Sequence, residues 1–332
     1  MSRAWTRDDL RTWVRFGSSS PLYASLVEVI GDDPALLDLL NRMEHAPRPN
    51  VLLAGVQYLL IQDPDDPLAE HYPNIGEPTE PAGRLEDRFR DFVGRHEEEL
   101  VEIGRTRYTQ TNECRRCAVL LPVIWLTPFT RFHLLDVGSS AGLNLNLDLY
   151  HYRWGDLEWG PPSTVNLVTE SRGVEPQPRS IEVASRVGLD LNRIDAADPK
   201  DRMWLEALVW PEHFERRRRL AEALELAVRN PVDVVEGDAL ETMEPLLEAL
   251  PSEEPAIVMH SFALLQFSRE ARSSFREILH RRRGDRPIYE ISFDALGRED
   301  GAGGLTIDDG NGPIEVGTAH PHGEWVEIYA RP

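Results

Sequence analysis

Phe132-His-Leu-Leu-Asp136-Val-Gly138-Ser-Ser-Ala-Gly142-Leu-Asn144 decides how this chain is read. Leu134, Leu135 and Val137 form a short apolar run without helical period, as a buried strand does. The run ends in an acid and breaks into a loop whose glycines, Gly138 and Gly142, permit a tight turn and a close backbone approach to a ligand. Leu143 to Tyr150 then reads as a helix whose first N–H groups face that ligand. A dinucleotide fingerprint requires glycines at the first, third and sixth places. Counted from Gly138, the third and sixth are Ser140 and Leu143, which weakens an NAD reading. A P-loop requires Gly-Lys-Ser/Thr, and the single lysine of the chain, Lys200, lies far away.

The composition narrows the field further. The chain has 332 residues, 41% of them hydrophobic, enough for one large or two modest cores. The N-terminal segment lacks the apolar centre of a signal peptide and no run reaches membrane-spanning length, so a cytoplasmic protein without membrane partners is expected. Acids number 57 against 36 bases, a formal charge of −21. Such a field repels phosphate backbones and argues against nucleic acid as a partner. Salt adaptation, in which screening over ~3 Å at molar salt relieves self-repulsion, and an arginine-rich codon bias both account for the charge. Salt adaptation is the favoured origin.

From Thr6 to about Cys117 the pattern is helical, with loops at Asp63-Pro-Asp-Asp-Pro and from Tyr72 to Gly83. One helix is expected from Leu85 through Leu100, with a polar face of Glu97, Glu98 and Glu99. After about Ala118 strands alternate with helices. Strand candidates are Phe132 to Val137, Ser185 to Leu189, Val232 to Val235, Ala256 to His260 and Pro287 to Phe293. Asp201 to Val209, His213 to Arg229, Leu240 to Leu250 and Arg269 to Arg282 read as helices between them. This alternation is that of an α/β fold with a doubly wound, mostly parallel sheet. The last segment, with Leu305-Thr-Ile, Ile314-Glu-Val and Trp325-Val-Glu-Ile-Tyr, reads as antiparallel. The expected division is a helical N-terminal cap, 1–117, and an α/β domain, 118–332.

Ligands of such sheets sit at the carboxyl ends of the strands. Those ends carry Asp136 and Gly138, then Asp190, then Gly237-Asp238-Ala239. Acid-x-Gly-x-x-x-Gly resembles the first motif of class I S-adenosylmethionine-dependent methyltransferases. That resemblance implies an acid after the second strand that accepts ribose hydroxyls, a Gly-Asp-Ala beside the adenine, and a sheet closed by an antiparallel hairpin. S-Adenosylmethionine is therefore the expected cofactor, with Asp136, Gly138, Ser139, Gly142, Asn144, Asp190, Asp238 and Ala239 around it. Helix capping by Asp190 and Asp238 is the competing account. Gly142 to Asp190 spans 190 − 142 = 48 residues, against ~20 in a compact dinucleotide unit. The excess, Tyr150 to Gln177, reads as an inserted hairpin and loop near the site.

His260, ending the fourth strand, is the candidate base for removing an acceptor's proton; a buried histidine satisfied by backbone is the other reading. Methyltransferases acting on nucleobases place Asn/Asp-Pro-Pro-Tyr/Phe there, and His260-Ser-Phe-Ala does not match. The polar segment ahead of the sheet supplies Gln110, Asn112 and Glu113 as candidate substrate contacts. Cys114 and Cys117 have C-x-x-C spacing, but no second ligand pair accompanies them, and two small buried side chains on one helical face explain them better than zinc. Arg216 to Arg219 reads as a solvated face, and His320-Pro-His-Gly323 as a turn.

Thr109-Gln-Thr-Asn-Glu113 with Cys117, Val137 to Asn144, Gly188-Leu-Asp-Leu-Asn192, Val209-Trp-Pro-Glu212, Ser20-Pro-Leu-Tyr23 and Arg48-Pro-Asn50 together resemble a prokaryotic family known as domain of unknown function 2332. The resemblance covers most of the chain and implies a methyltransferase-like fold without a substrate. A methyltransferase acting on a small molecule is the expected function; a regulatory protein that keeps the pocket, or an enzyme using another nucleotide, are the alternatives.

Overall fold

A computed structural model of the chain describes residues 3–16, 19–76, 84–251, 254–295 and 301–329. The loop expected over Tyr72 to Gly83 falls outside these residues beyond Gly76. Two compact units result, one of 1–111 with 197–218, the other of 112–196 with 219–332.

The first unit contains α1 (Arg7–Phe16), α2 (Pro21–Asp32), α3 (Pro34–Asn41), α4 (Arg48–Gln62), α5 (Leu85–Arg95) and α6 (Glu97–Thr106). Past α7 (Cys117–Ile124), which belongs to the second unit, the first also takes in α8 (Pro199–Ala207) and the start of α9 (Phe214–Arg229). Ser20 and Asp33 cap α2 and α3 through side-chain oxygens, each followed by a proline at the first helical position, where its missing N–H costs nothing. The apolar α4 is buried along most of its length. Within it, the amide of Gln57 donates to the carbonyls of Ala207 and Val209, each at 2.8 Å, satisfying the otherwise orphaned end of α8. The single helix expected over Leu85 to Leu100 is two, broken at His96 (φ −112°, ψ 19°). The break puts Glu97, Glu98 and Glu99 in the first turn of α6, where acids favour the helix dipole.

The second unit is built on one mostly parallel sheet of eleven strands in the order β3-β2-β4-β11-β10-β9-β8-β7-β1-β5-β6. These are β1 (Arg131–Val137), β2 (His151–Trp154), β3 (Leu157–Trp159), β4 (Asn166–Gly173), β5 (Glu182–Asp190), β6 (Asp233–Glu236), β7 (Ala256–Ser261), β8 (Ile288–Ala295), β9 (Gly303–Asp308), β10 (Ile314–Ala319) and β11 (Trp325–Ile328). The five strands read from the sequence all occur. From β1 the chain steps to β5 and β6 on one side, then returns to lay β7 and β8 on the other. The α10 helix (Ala239–Ala249) precedes β7, and α11 (Arg269–Arg282) precedes β8.

Paired residues of adjacent strands point to the same face and successive residues alternate. Leu135, Val137, Leu189, Ala256 and Val258 therefore share one face, and they pack on Met243 and Leu247 of α10 and Phe275, Ile278 and Leu279 of α11. Asp136, Gly188 and Asp190 fall on the opposite face.

Three expectations need correction. Leu143 to Tyr150 is a run of 3-10 turns over Leu143–Leu149 with a non-helical residue at Asn146, not an α-helix. Its Leu-Asn-Leu-Asn-Leu-Asp-Leu alternation has period two and gives a helix no continuous apolar stripe. The tail is a meander of three antiparallel strands after β8 rather than a hairpin, and β11 then runs parallel to β4. The insertion does form a hairpin, β2 with β3, but it occupies the outermost sheet positions beyond β4.

A Cβ added at Gly188 would stand 2.4 Å from Ser139 Oγ and 3.0 Å from Val234 Cγ2. Gly188→Ala is thus expected to cost about 1–3 kcal/mol through overpacking, measured as a lower urea midpoint with an unchanged m-value. A wild-type midpoint would mean that the β1 loop does not rest on Gly188.

Candidate functional site at the strand-order reversal

Chain connections diverge between β1 and β7, so no crossover covers the carboxyl ends of these two strands; open α/β sheets bind ligands at such reversals. The tips of β1, β5 and β6 are tied together by backbone. Gly138 N–H donates to Leu189 O at 2.7 Å, and Gly237 N–H donates to Asp190 O at 2.9 Å.

The β1 loop is held in a costly conformation. Gly138 (φ 80°), Ser140 (φ 53°) and Gly142 (φ 69°) all lie in the left-handed region, which is unfavourable for serine. Asp190 offsets that cost: its carboxylate accepts Ser140 N–H at 2.7 Å and Asn192 N–H at 2.9 Å. Asn112, itself at φ 42°, donates from Nδ2 to Ser140 Oγ at 2.7 Å and accepts Ala141 N–H at 3.2 Å. Across the reversal, Phe262 follows β7 at φ 58°. The Arg116 guanidinium lies 4.5 Å from the centre of its ring and donates to Ser261 Oγ at 3.3 Å and Pro321 O at 3.0 Å. These three are the non-glycine residues with positive φ among the described residues, and strain of this kind concentrates where a structure positions a site.

Two polar side chains at the β1 tip are buried with an unsatisfied atom, Asp136 at Oδ2 and Ser139 at Oγ. Burial pushes the Asp136 carboxyl up to about 8; His260 and Arg116 oppose the shift and Asp190 adds to it. Asp190 is also raised, mainly by burial, against the two N–H groups it accepts.

Asp136, Gly138, Ser139, Gly142, Asp190 and Asn112 thus come together, but His260, Asn144, Asp238, Ala239 and Glu113 do not join them. His260 falls on the α10 and α11 face, opposite to Asp136. It is 1% exposed, with Nε2 3.0 Å from Glu290 and Nδ1 3.3 Å from Asp294, and its ring packs edge-on against Phe275. Burial disfavours its charge, but Asp294 and Glu290 outweigh burial and push it up to about 9. The expectation that His260 aims into the crevice as a free base is corrected: it is an imidazolium fixed between two acids. Sequence could not show this, because Glu290 and Asp294 flank Ser292, the partner of His260 on β8.

Asn144 turns to α7, where its Oδ1 accepts the Cys117 thiol at 3.3 Å. Asp238 is exposed and caps α10 through Leu240 N–H at 2.8 Å, while Ala239 is buried beneath the sheet. Glu113 is committed to a buried ion pair with Arg219 at 3.1 Å. That pair also corrects the solvated reading of Arg216 to Arg219, since Arg219 is buried and Arg217 donates to Val209 O. Gln110 belongs to the first unit. Cys114 and Cys117 are buried free thiols, and the described residues hold no cluster suited to a metal ion.

The chain belongs to the family described as uncharacterized protein conserved in bacteria, domain of unknown function 2332, whose model matches residues 9–328. No curated protein matches it. The motifs Ser20-Pro-Leu-Tyr23, Arg48-Pro-Asn50 and Val209-Trp-Pro-Glu212 meet inside the first unit. Glu212 accepts Ser20 Oγ–H at 2.6 Å and Leu22 N–H at 2.9 Å, and Trp210 donates to Asn50 Oδ1 at 3.1 Å.

Asp136 holds its proton to about pH 8 in the folded chain but only to ~4 when unfolded. Stability must then fall as pH rises across that window, by about 1.4 kcal/mol per pH unit. Asp136→Asn removes this slope, and urea titrations of both proteins at pH 5 and pH 8 measure it; equal losses in the two would refute a buried neutral acid. His260→Ala leaves Glu290 and Asp294 facing each other and is expected to cost on the order of 3 kcal/mol, read from the same titrations. A neutral result would show that the imidazolium does not bind the two acids together.

Proposed function

We propose that the second unit binds S-adenosylmethionine at the carboxyl ends of β1, β5 and β6, as class I methyltransferases do, and methylates a small molecule. The observation that carries this reading is the tied cluster of the glycine loop and Asp190 at the strand-order reversal, with Asp136 Oδ2 and Ser139 Oγ buried beside it and lacking partners. Buried polar atoms of this kind are normally satisfied by water or ligand.

The residues suit the group. S-Adenosylmethionine supplies a methyl on a positively charged sulfur, together with an ammonium, and the face with Asp136 and Asp190 carries two carboxyl groups that suit a cation. Leu191, 67% exposed just after Asp190, offers apolar surface at the same strand tip. Asp190 keeps the β1 loop in its strained form, which brings backbone close to a ligand. Asp136, neutral when alone, gains reason to ionise beside a cation. Displacement at a sulfonium methyl needs little beyond proximity and orientation, so the chain's task is to hold both reactants and exclude water. A second reading, a binding or regulatory protein without turnover, is favoured by the position of His260, because none of the sequence-expected proton acceptors then faces the crevice.

Calorimetry with S-adenosylmethionine, S-adenosylhomocysteine, NAD and ATP tests the ligand. Binding of the cationic S-adenosylmethionine is expected to tighten as pH rises towards 8 and to release a proton, whereas the uncharged sulfur of S-adenosylhomocysteine should reduce both effects and Asp136→Asn abolish them. Asp190→Ala is expected to weaken binding by ~1–3 kcal/mol. Preference for NAD or ATP, or pH-independent binding, would overturn the assignment. Formation of S-adenosylhomocysteine from a metabolite extract separates the methyltransferase from the regulatory protein.

A further inference from the structure

The segment 112–116 touches both loops at the strand-order reversal, the β1 loop and the turn after β7, which form its two lips. Its first residue grips the β1 loop, through Asn112 Nδ2 on Ser140 Oγ and Asn112 Oδ1 under Ala141 N–H. Its last, Arg116, covers the turn after β7, over the Phe262 ring and onto Ser261. Each gripped lip contains a non-glycine residue at positive φ, as does Asn112 itself. The lips also meet directly, because a Cβ on Gly138 would stand 2.5 Å from Ala263 Cβ. The segment is anchored from behind by the buried pair of Glu113 with Arg219 and by Cys117 on Asn144.

We propose that Asn112 and Arg116 are positioning residues, a two-point clamp that fixes the β1 loop and the Ser261–Phe262 turn relative to each other. The strained conformations of Ser140 and Phe262 then persist because side chains from one rigid segment restrain both. This deepens the proposed function, since the β1 loop is the part of the chain that would meet the ligand, but the clamp itself exists whichever ligand binds.

Asn112→Gly tests it most cleanly, because glycine accepts φ 42° without strain, so only the grip is lost. Amide hydrogen exchange is expected to rise about tenfold at Ser140 and Ala141 in that variant, with the melting temperature near that of the wild type. Asn112→Asp, which can still accept Ala141 N–H, should restore protection. Arg116→Met should raise exchange around Ser261 to Ala263, with Arg116→Lys restoring little because it lacks the planar stacking group. S-Adenosylhomocysteine affinity should fall about tenfold in Asn112→Gly. Unchanged exchange in the β1 loop of Asn112→Gly, or a rise spread evenly over the sheet, would overturn the clamp. If the wild type fails to bind S-adenosylhomocysteine while the local exchange effects appear, the cofactor reading falls and the clamp stands.

Discussion

The carboxylate of Asp190 on the backbone N–H of Ser140 is the contact on which the rest of the site depends. A serine with positive φ does not hold that shape unaided, and a loop relaxed to ordinary backbone would lift Ser139 away from Gly188 and withdraw Ala141 from Asn112. One acid at the end of β5 thereby holds the loop after β1 in the shape that the 112–116 segment grips. The role differs from the ribose contact that the resemblance to methyltransferases implies, yet each oxygen engaged by one N–H retains a second lone pair. Holding the loop and meeting a ligand are compatible tasks for the same carboxylate.

Parallel pairing explains why the arrangement sits where it does. Adjacent parallel strands point their carboxyl ends the same way, so β1, β5 and β6 deliver their final residues to one edge. The charge placed there is uneven between the two faces. Asp136 and Asp190 lie on the face away from α10 and α11, while His260, Glu290 and Asp294 lie on the other, among apolar side chains. A histidine enclosed by two acids in such surroundings contributes to the integrity of β7 and β8, and its charge favours the ionised form of Asp136 at the neighbouring strand tip, against burial.

Much of this was legible in the amino-acid sequence because it rests on period and on punctuation. The apolar run Leu134 to Val137 and the glycines after it locate β1 and its turn, and the alternation of strands with helices yields the parallel sheet. What stayed hidden depends on pairing across long separations. Glu290 and Asp294 become neighbours of His260 only through β8, thirty and thirty-four residues on. Arg219 looks like any arginine in a charged run until Glu113, 106 residues earlier, meets it in the interior. The distinction between Asp190 and Asp238 was likewise invisible: each stands at or just after the end of a strand, yet one holds a loop and the other caps a helix.

The parallel pairing of β4 with β11 has an implication for how the protein is made. Trp325 lies opposite Glu170, and 325 − 170 = 155 residues separate them, so β4 leaves the ribosome well before its partner strand. Until then β4 offers an open edge, a template for strands of other molecules. The hairpin of β2 and β3 covers its other side early, and the excess of acids keeps nascent chains apart while they wait. The net negative charge thereby guards the interval before the sheet is complete.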